Sequence, residues 1–251
     1  MSGTIAGLVP GAMIHELKLA TLANNLSNMG TLGFKADNVV QLTALPESGT
    51  QGYTDQVTGA RLPGASTSLL PVGIYTDFTP GPANTTGNPL DLYIDGKGFF
   101  AVETPLGTRY TRNGSFAVDS EENLVTQEGY KVMGEGGAIQ INGKQVTVDA
   151  DGNLIVDGAQ TGKLKIVEFE DRNALTKVGK NLFKSVAGAA ESTPEEVHVE
   201  QGAVEGANVD AVRMMTEMIE TLRGYESYQK TIQTLDSVES KAVNELGRVR
   251  S

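Results

Sequence analysis

The segment NVDAVRMMTEMIETLRGYESYQKTIQTLDSVESKAVNEL, residues 208–246, decides how the rest of the chain is read. Ala211, Met214, Met218, Thr221, Tyr225, Tyr228, Ile232, Leu235, Glu239, Ala242, Leu246 and Val249 fall on the alternating three-and-four spacing of a heptad seam, with only Thr221 and Glu239 polar. Leu222 and Val238 widen the stripe, while Glu217, Glu220, Arg223, Lys230 and Lys241 lie off it. The pattern predicts one long amphipathic helix, with Asn208 as N-cap, Asp210 adding negative charge to the first turn and Gly247 as a stop. Gly224 costs such a helix about 1 kcal/mol relative to alanine, which packing must offset. At 1.5 Å per residue, about 38 residues make a helix about 57 Å long. That exceeds the width of a small domain, so most of the stripe needs a partner outside its own domain.

A second seam lies at the other end of the chain: Ile5, Leu8, Ala12, His15, Leu19, Leu22, Leu26 and Met29. The two ends can pair as antiparallel helices. Two helices leave much apolar surface uncovered, and isolated helices are marginal in water. The ends are therefore expected to complete their folding when several copies pack together; an ordinary two-helix cap on a globular core is the alternative. Pro10-Gly11 either places the start of the first helix near Val9 or bends it, and Gly30 and Gly33 end it.

Between the seams the pattern changes twice. From Pro46 to Pro71 the chain is rich in Gly, Pro, Ser, Thr and Gln and reads as a connector. From Leu90 to about Val199, short apolar stretches alternate with period two. Between them stand Asp95-Gly96, Asn113-Gly114, Glu128-Gly129, Asn142-Gly143, Asp151-Gly152 and Asp157-Gly158, the chemistry of tight hairpin turns. A barrel or sandwich of small hairpins is expected, with a short helical turn over 173–177, a polar loop over 188–196 and no internal repeat. The fold class is α+β: N- and C-terminal coiled-coil-like helices packed together, with an inserted all-β domain and an extended connecting arm. The ranges are 1–30 and 208–251 for the helical ends, 31–75 for the arm and 76–207 for the β-rich domain.

Composition narrows the function. The net charge of −11 argues against nucleic-acid binding and against anionic membrane surfaces. With no cysteine, disulfides and thiolate sites are excluded. The first 29 residues do not read as a cleavable signal peptide, and no run approaches a membrane span. His15 and His198 sit in different segments, so no catalytic, cofactor or metal site is expected. Asp149, Asp151 and Asn153 superficially resemble a calcium loop, but Leu154 and Gln160 occupy the positions that need Gly and a carboxylate, which favours a hairpin turn.

Three separated motifs resemble the bacterial flagellar basal-body rod family. The first is Leu22-Ala-Asn-Asn-Leu-Ser-Asn28 with Gly33-Phe-Lys-Ala-Asp37. The second runs from Phe78-Thr-Pro-Gly81 and Thr86-Gly-Asn-Pro-Leu-Asp-Leu92 to Gly96-Lys-Gly-Phe-Phe100 and Tyr110-Thr-Arg-Asn-Gly-Ser-Phe116. The third comprises Gln201-Gly202, Asn208-Val-Asp210, Met218-Ile219, Arg223, Tyr225-Glu226 and Ile232-Gln-Thr-Leu-Asp236. Within the family, the compact stretch from Ala36 to Leu70 is more similar to a proximal than to a distal rod protein. The resemblance implies a structural, non-enzymatic subunit whose terminal helices form the inner tube of a helical assembly that transmits torque. It also implies partnership with further copies and other rod proteins, and export without a cleaved signal by the flagellar type III apparatus. The implied location is the periplasmic rod of the basal body. Assembly is expected to rest on Leu19, Leu22, Asn24, Asn25, Leu26, Met214, Met218, Leu222, Tyr225, Tyr228, Ile232 and Leu235. Two rivals are a coiled-coil-tethered surface or phage fibre that closes as a trimer, and a carbohydrate-active enzyme on the β-domain.

Overall fold

The structure is a computed structural model that describes residues 2–41, 72–186, 189–194 and 198–249. The expected connector, 46–71, and with it most of the expected arm, 31–75, lies outside the described residues, as do the side chains of Ile5, Leu8, Glu239, Ala242, Leu246 and Val249.

The chain is α+β. Helix α1 (Ser2–Ser27) is followed by β1 (Asp37–Gln41), β2 (Val72–Thr76), β3 (Ala83–Thr85), β4 (Leu92–Asp95), β5 (Phe99–Thr104), β6 (Gly107–Thr111) and β7 (Phe116–Val118). Then come β8 (Leu124–Thr126), β9 (Lys131–Gly134), β10 (Gly137–Ala138), β11 (Val146–Val148), β12 (Asn153–Val156), β13 (Ala159–Lys163) and β14 (Ile166–Phe169). The last elements are β15 (Leu175–Val178), β16 (Leu182–Ser185), β17 (Glu191–Ser192), β18 (His198–Gln201), β19 (Ala203–Glu205) and helix α2 (Ala211–Val249). Two compact units result. One comprises Met1–Ala23, Asn38–Tyr75 and Met215–Ser251; the other comprises Asn24–Asp37 and Thr76–Met214.

In the β-rich unit the main sheet runs β15-β16-β6-β5-β9-β8-β7, with β14 also paired to β5. Strand β5 shows why the period is two. Phe100 and Val102 enter one core with Leu92, Ile94, Phe116, Leu124 and Leu154. Phe99 and Ala101 enter a second with Tyr110, Phe169 and Phe183. Successive side chains of a strand point to opposite faces, and both faces of β5 are covered.

Three of the expected turn signals close hairpins: Glu128-Gly129 joins β8 to β9, Asp151-Gly152 joins β11 to β12, and Asp157-Gly158 joins β12 to β13. Asp95-Gly96, Asn113-Gly114 and Asn142-Gly143 do not. Strand β4 pairs with β18 instead, over a hundred residues on. Gly114 is needed for close approach: a Cβ there would fall 1.7 Å from the Leu92 carbonyl oxygen. The expected helical turn at 173–177 is a 3-10 turn, Arg172–Ala174, that passes directly into β15.

A repeat does exist. The β7–β8 and β11–β12 hairpins share one turn. In the first, Asp119 Oδ1 accepts from the backbone N–H groups of Glu121 and Asn123 while Asn123 Nδ2 donates back to Asp119. In the second, Asp149 stands in the same relation to Asp151 and Asn153. The residue three after each Asp is left-handed, Glu122 at φ 64° and Gly152 at φ 79°. The carboxylate of the calcium-like stretch is thus the acceptor of its own turn. The repeat is legible in the sequence as Val-Asp-x-x-x-Asn-Leu at 118–124 and again at 148–154.

Both helices start differently from expectation. The α1 helix begins at Ser2 and continues through Pro10. The N-cap of α2 is Asp210, whose Oδ1 accepts from the N–H groups of Val212 and Arg213 at 3.0 and 3.1 Å. Asn208 is used elsewhere, and α2 runs past Gly247 to Val249.

Candidate assembly site

The chain leaving α1 and the chain approaching α2 are bound together inside the β-rich unit. Gly33 adopts φ 66°, and a Cβ there would meet the Asn113 nitrogen at 2.3 Å, so only glycine lets the chain pass. Its N–H donates to the Glu205 carbonyl at 2.8 Å. Phe34 is buried, and Lys177 Nζ sits 4.3 Å from the centre of its ring. Lys35 follows with its side chain 0% exposed, and its Nζ donates to Glu205 Oε1 at 2.6 Å and to the Thr79 carbonyl at 2.7 Å. Glu205 also accepts from the Gly81 N–H, and its other oxygen faces Arg112 Nη1 at 3.3 Å. Arg112 in turn donates to the carbonyls of Ile94 and Gly96.

A buried carboxylate thus stands between two buried cations. Burial lowers the Lys35 pKa and the neighbouring Glu205 opposes the shift; Arg112 is lowered by burial in the same way. Lys177 is likewise lowered by burial, against its 2.8 Å contact with Asp37.

Two asparagines complete the junction. Asn25 is fully buried; its Nδ2 donates to the Asp37 carbonyl at 2.7 Å and its Oδ1 accepts the Asp37 N–H at 3.0 Å. Asn208 Oδ1 accepts the Ala36 N–H at 2.7 Å, and its Nδ2 donates to the Asp77 carbonyl at 2.8 Å. Nothing in seam periodicity pointed to Lys35, Arg112 and Glu205. The available signal was a lone charge inside each of two short apolar runs, around Lys35 and Glu205.

In the helical unit, α1 and α2 meet through glycines. A Cβ at Gly11 would fall 2.7 Å from Tyr228 Cε1, and one at Gly224 would fall 2.7 Å from His15 Cε1. The rings of His15 and Tyr228 lie 5.3 Å apart. Moving four residues forward on α1 moves four residues back on α2, so the helices are antiparallel here. The local cost of Gly224 is repaid by room for an imidazole, and Pro10-Gly11 admits the Tyr228 ring. His15 Nδ1 is buried with no hydrogen-bond partner.

The residues expected to carry assembly distribute as follows. Leu22 and Met214 are buried; Leu19, Leu26, Met218, Tyr225, Tyr228, Ile232 and Leu235 are half-buried; Asn24 and Leu222 are exposed. The stripe from Met214 to Leu235 therefore marks the less exposed side of α2. Asn25 is occupied within its own chain. Among the described side chains of α1 the buried ones are Ile14, Thr21, Leu22 and Asn25; just past its end Asn28 is buried and Met29 exposed. Among the described residues no cluster of metal-ligating side chains is present and no helix is long and apolar enough to cross a membrane.

Residues 93–156 match the family described as the flagellar hook protein FlgE/F/G D1 domain, and residues 200–245 match the flagellar basal body rod FlgEFG protein C-terminal family. A flagellar basal-body rod protein FlgF from Caulobacter vibrioides is 33% identical over 94% of this chain and 95% of its own length. A flagellar basal-body rod protein FlgG from Bacillus subtilis is 33% identical over 94% and 96%. A FlgF from Salmonella typhimurium is 33% identical over 89% and 90%.

Proposed function

Since this chain belongs to the FlgF/FlgG family of flagellar basal-body rod proteins, and is thus a structural subunit of the rod, we propose that it joins the rod by burying its terminal helices against those of neighbouring subunits. The observation that carries this reading is the state of α2. Beyond Thr221, every described side chain of that helix is exposed or half-buried, including Tyr225, Tyr228, Ile232 and Leu235. A helix of 39 residues, about 58 Å long, presents an apolar stripe that the described residues of its own chain cover only in part. Burying several hundred Å² of it at about 25 cal/mol per Å² offsets the ordering entropy of the helical ends.

On this reading the ends, 1–30 and 208–251, pack in coiled-coil fashion as the inner tube, with the arm over 31–75 and the β-rich region over 76–207 outside. Contacts are heterologous, the kind that propagates along a helix. Torque passes through these interfaces, and no chemistry is required of them. The compact stretch 36–70 favours the proximal, FlgF-like position; relatives of both names are equally identical over the chain. The absence of cysteine suits delivery in unfolded form by the type III apparatus to the periplasmic rod. The family match disfavours a trimeric fibre.

Amide hydrogen exchange tests the proposal. The purified chain should exchange rapidly in α1 and α2, and both should become strongly protected in isolated basal bodies. Equal protection in the two states would mean a self-sufficient globule and would sink assembly through the helices.

A further inference from the structure

At Tyr228 and Gly224 the seam of α2 is engaged by its own α1, so at that level the surface left for a neighbour lies elsewhere on the helix. Met215, Ile219 and Leu222 are 49%, 53% and 46% exposed and follow one another at intervals of four and three. They form a second apolar stripe, displaced around the helix from the first. On α1, Met13, Glu16, Ala20 and Ala23 are exposed at intervals of three, four and three, on the face opposite buried Ile14, Thr21 and Leu22.

The antiparallel register set by Gly11 with Tyr228 and His15 with Gly224 relates these two faces. Continued along the helices, it places Glu16 level with Arg223, Ala20 level with Ile219 and Ala23 beside Met215, with Leu222 between Glu16 and Ala20. Large apolar side chains stand at the heights where the other face is small, and an acid stands at the height of a base. Within one chain both faces remain exposed. Between two copies standing side by side in the same orientation, the α2 stripe of one meets the α1 face of the next at the same level.

Resting on the rod reading above, we propose that this is the lateral contact between copies: Met215, Ile219 and Leu222 of one chain lie across Ala20 and Ala23 of a second copy, with Arg223 paired to its Glu16. The contact joins two different faces, so a joined pair still has one free face of each kind and the arrangement stays open. Self-pairing of the α2 stripe would close after two copies and would leave the α1 face uncovered. The Arg223–Glu16 pair fixes the height at which neighbours engage.

The chain has no native cysteine, so disulfide trapping reports the contact directly. Basal bodies carrying the Ala20→Cys/Ile219→Cys chain should give a ladder of cross-linked multimers on mild oxidation, and either single variant should give none. Dimers from Ile219→Cys alone would show self-pairing, and a cross-linked monomer would show that the faces meet within one chain; either overturns the proposal. Incorporation without any cross-link overturns it as well, while absence of the unmodified chain from basal bodies would instead defeat the rod reading. Should the cysteine variants fail to incorporate, charge reversal decides. Arg223→Glu should lower incorporation about tenfold, the equivalent of about 1.4 kcal/mol, and Glu16→Arg/Arg223→Glu should restore it. No recovery in the double variant overturns the pairing.

Discussion

The Nζ of Lys35 lies 2.6 Å from Oε1 of Glu205, 170 residues away in sequence, with both side chains almost wholly excluded from solvent. Arg112 shares the carboxylate, so removing any one member leaves the others charged and buried. Lys35→Met should cost about 3–5 kcal/mol in urea unfolding of the full chain, the usual penalty for breaking a buried ion pair. A loss below about 1 kcal/mol would show that water reaches the site.

Gly224 and His15 are coupled sterically. By helix propensity alone, Gly224→Ala should stabilise α2 by about 1 kcal/mol. Against the imidazole it should weaken the helix pair, and the loss should largely vanish in a His15→Ala background. A double-mutant cycle on thermal unfolding should give a coupling above about 0.5 kcal/mol; additivity would mean that the two helices do not touch there.

Ile232→Asp should prevent incorporation into basal bodies while the β-rich unit stays resistant to protease, because Ile232 belongs to the helical unit and lies on its less exposed side. A normal level of Ile232→Asp in purified basal bodies would refute assembly through this seam.

Glu122 is held at φ 64°, where a side chain costs about 1–2 kcal/mol. The equivalent position of the other hairpin is already Gly152. Glu122→Gly should raise stability by about 0.5–1 kcal/mol after the backbone entropy of glycine is subtracted. A lower melting temperature would mean that the Glu122 side chain contributes more than its conformation costs.

Asp119 and Asp149 both have pKa values below the ordinary 3.8, chiefly through hydrogen bonds from Asn123 and Asn153. The unfolded chain therefore binds protons first as pH falls. The stability these turns contribute is complete well above pH 4 and drains away below it as pH passes through the folded values. Asp119→Asn/Asp149→Asn should flatten the decline in melting temperature between about pH 5 and pH 2. An unchanged slope would mean that other carboxylates govern acid unfolding.

The sequence by itself determined what is periodic or local. The heptad spacing from Ala211 to Leu235 gave the long helix and its less exposed side, and the period of two from Leu92 to Phe169 gave the strands. Asp157-Gly158 gave a turn, because residues with positive φ leave a local mark. The family motifs were visible too, from Asn24-Asn25 to Ile232-Gln-Thr-Leu-Asp236. Only the tertiary structure decided which partners those segments take. Asn113-Gly114 has hairpin chemistry, yet Gly114 exists to admit the carbonyl of Leu92. Asn208 has N-cap chemistry, yet it holds the backbone of Ala36, and Asp210 caps the helix. Lys35 and Glu205 look like surface charges until the fold buries them together. Periodicity records only whether a side chain meets water or protein; which protein atoms it meets depends on segments brought together from elsewhere in the chain, as far as the 170 residues between Lys35 and Glu205.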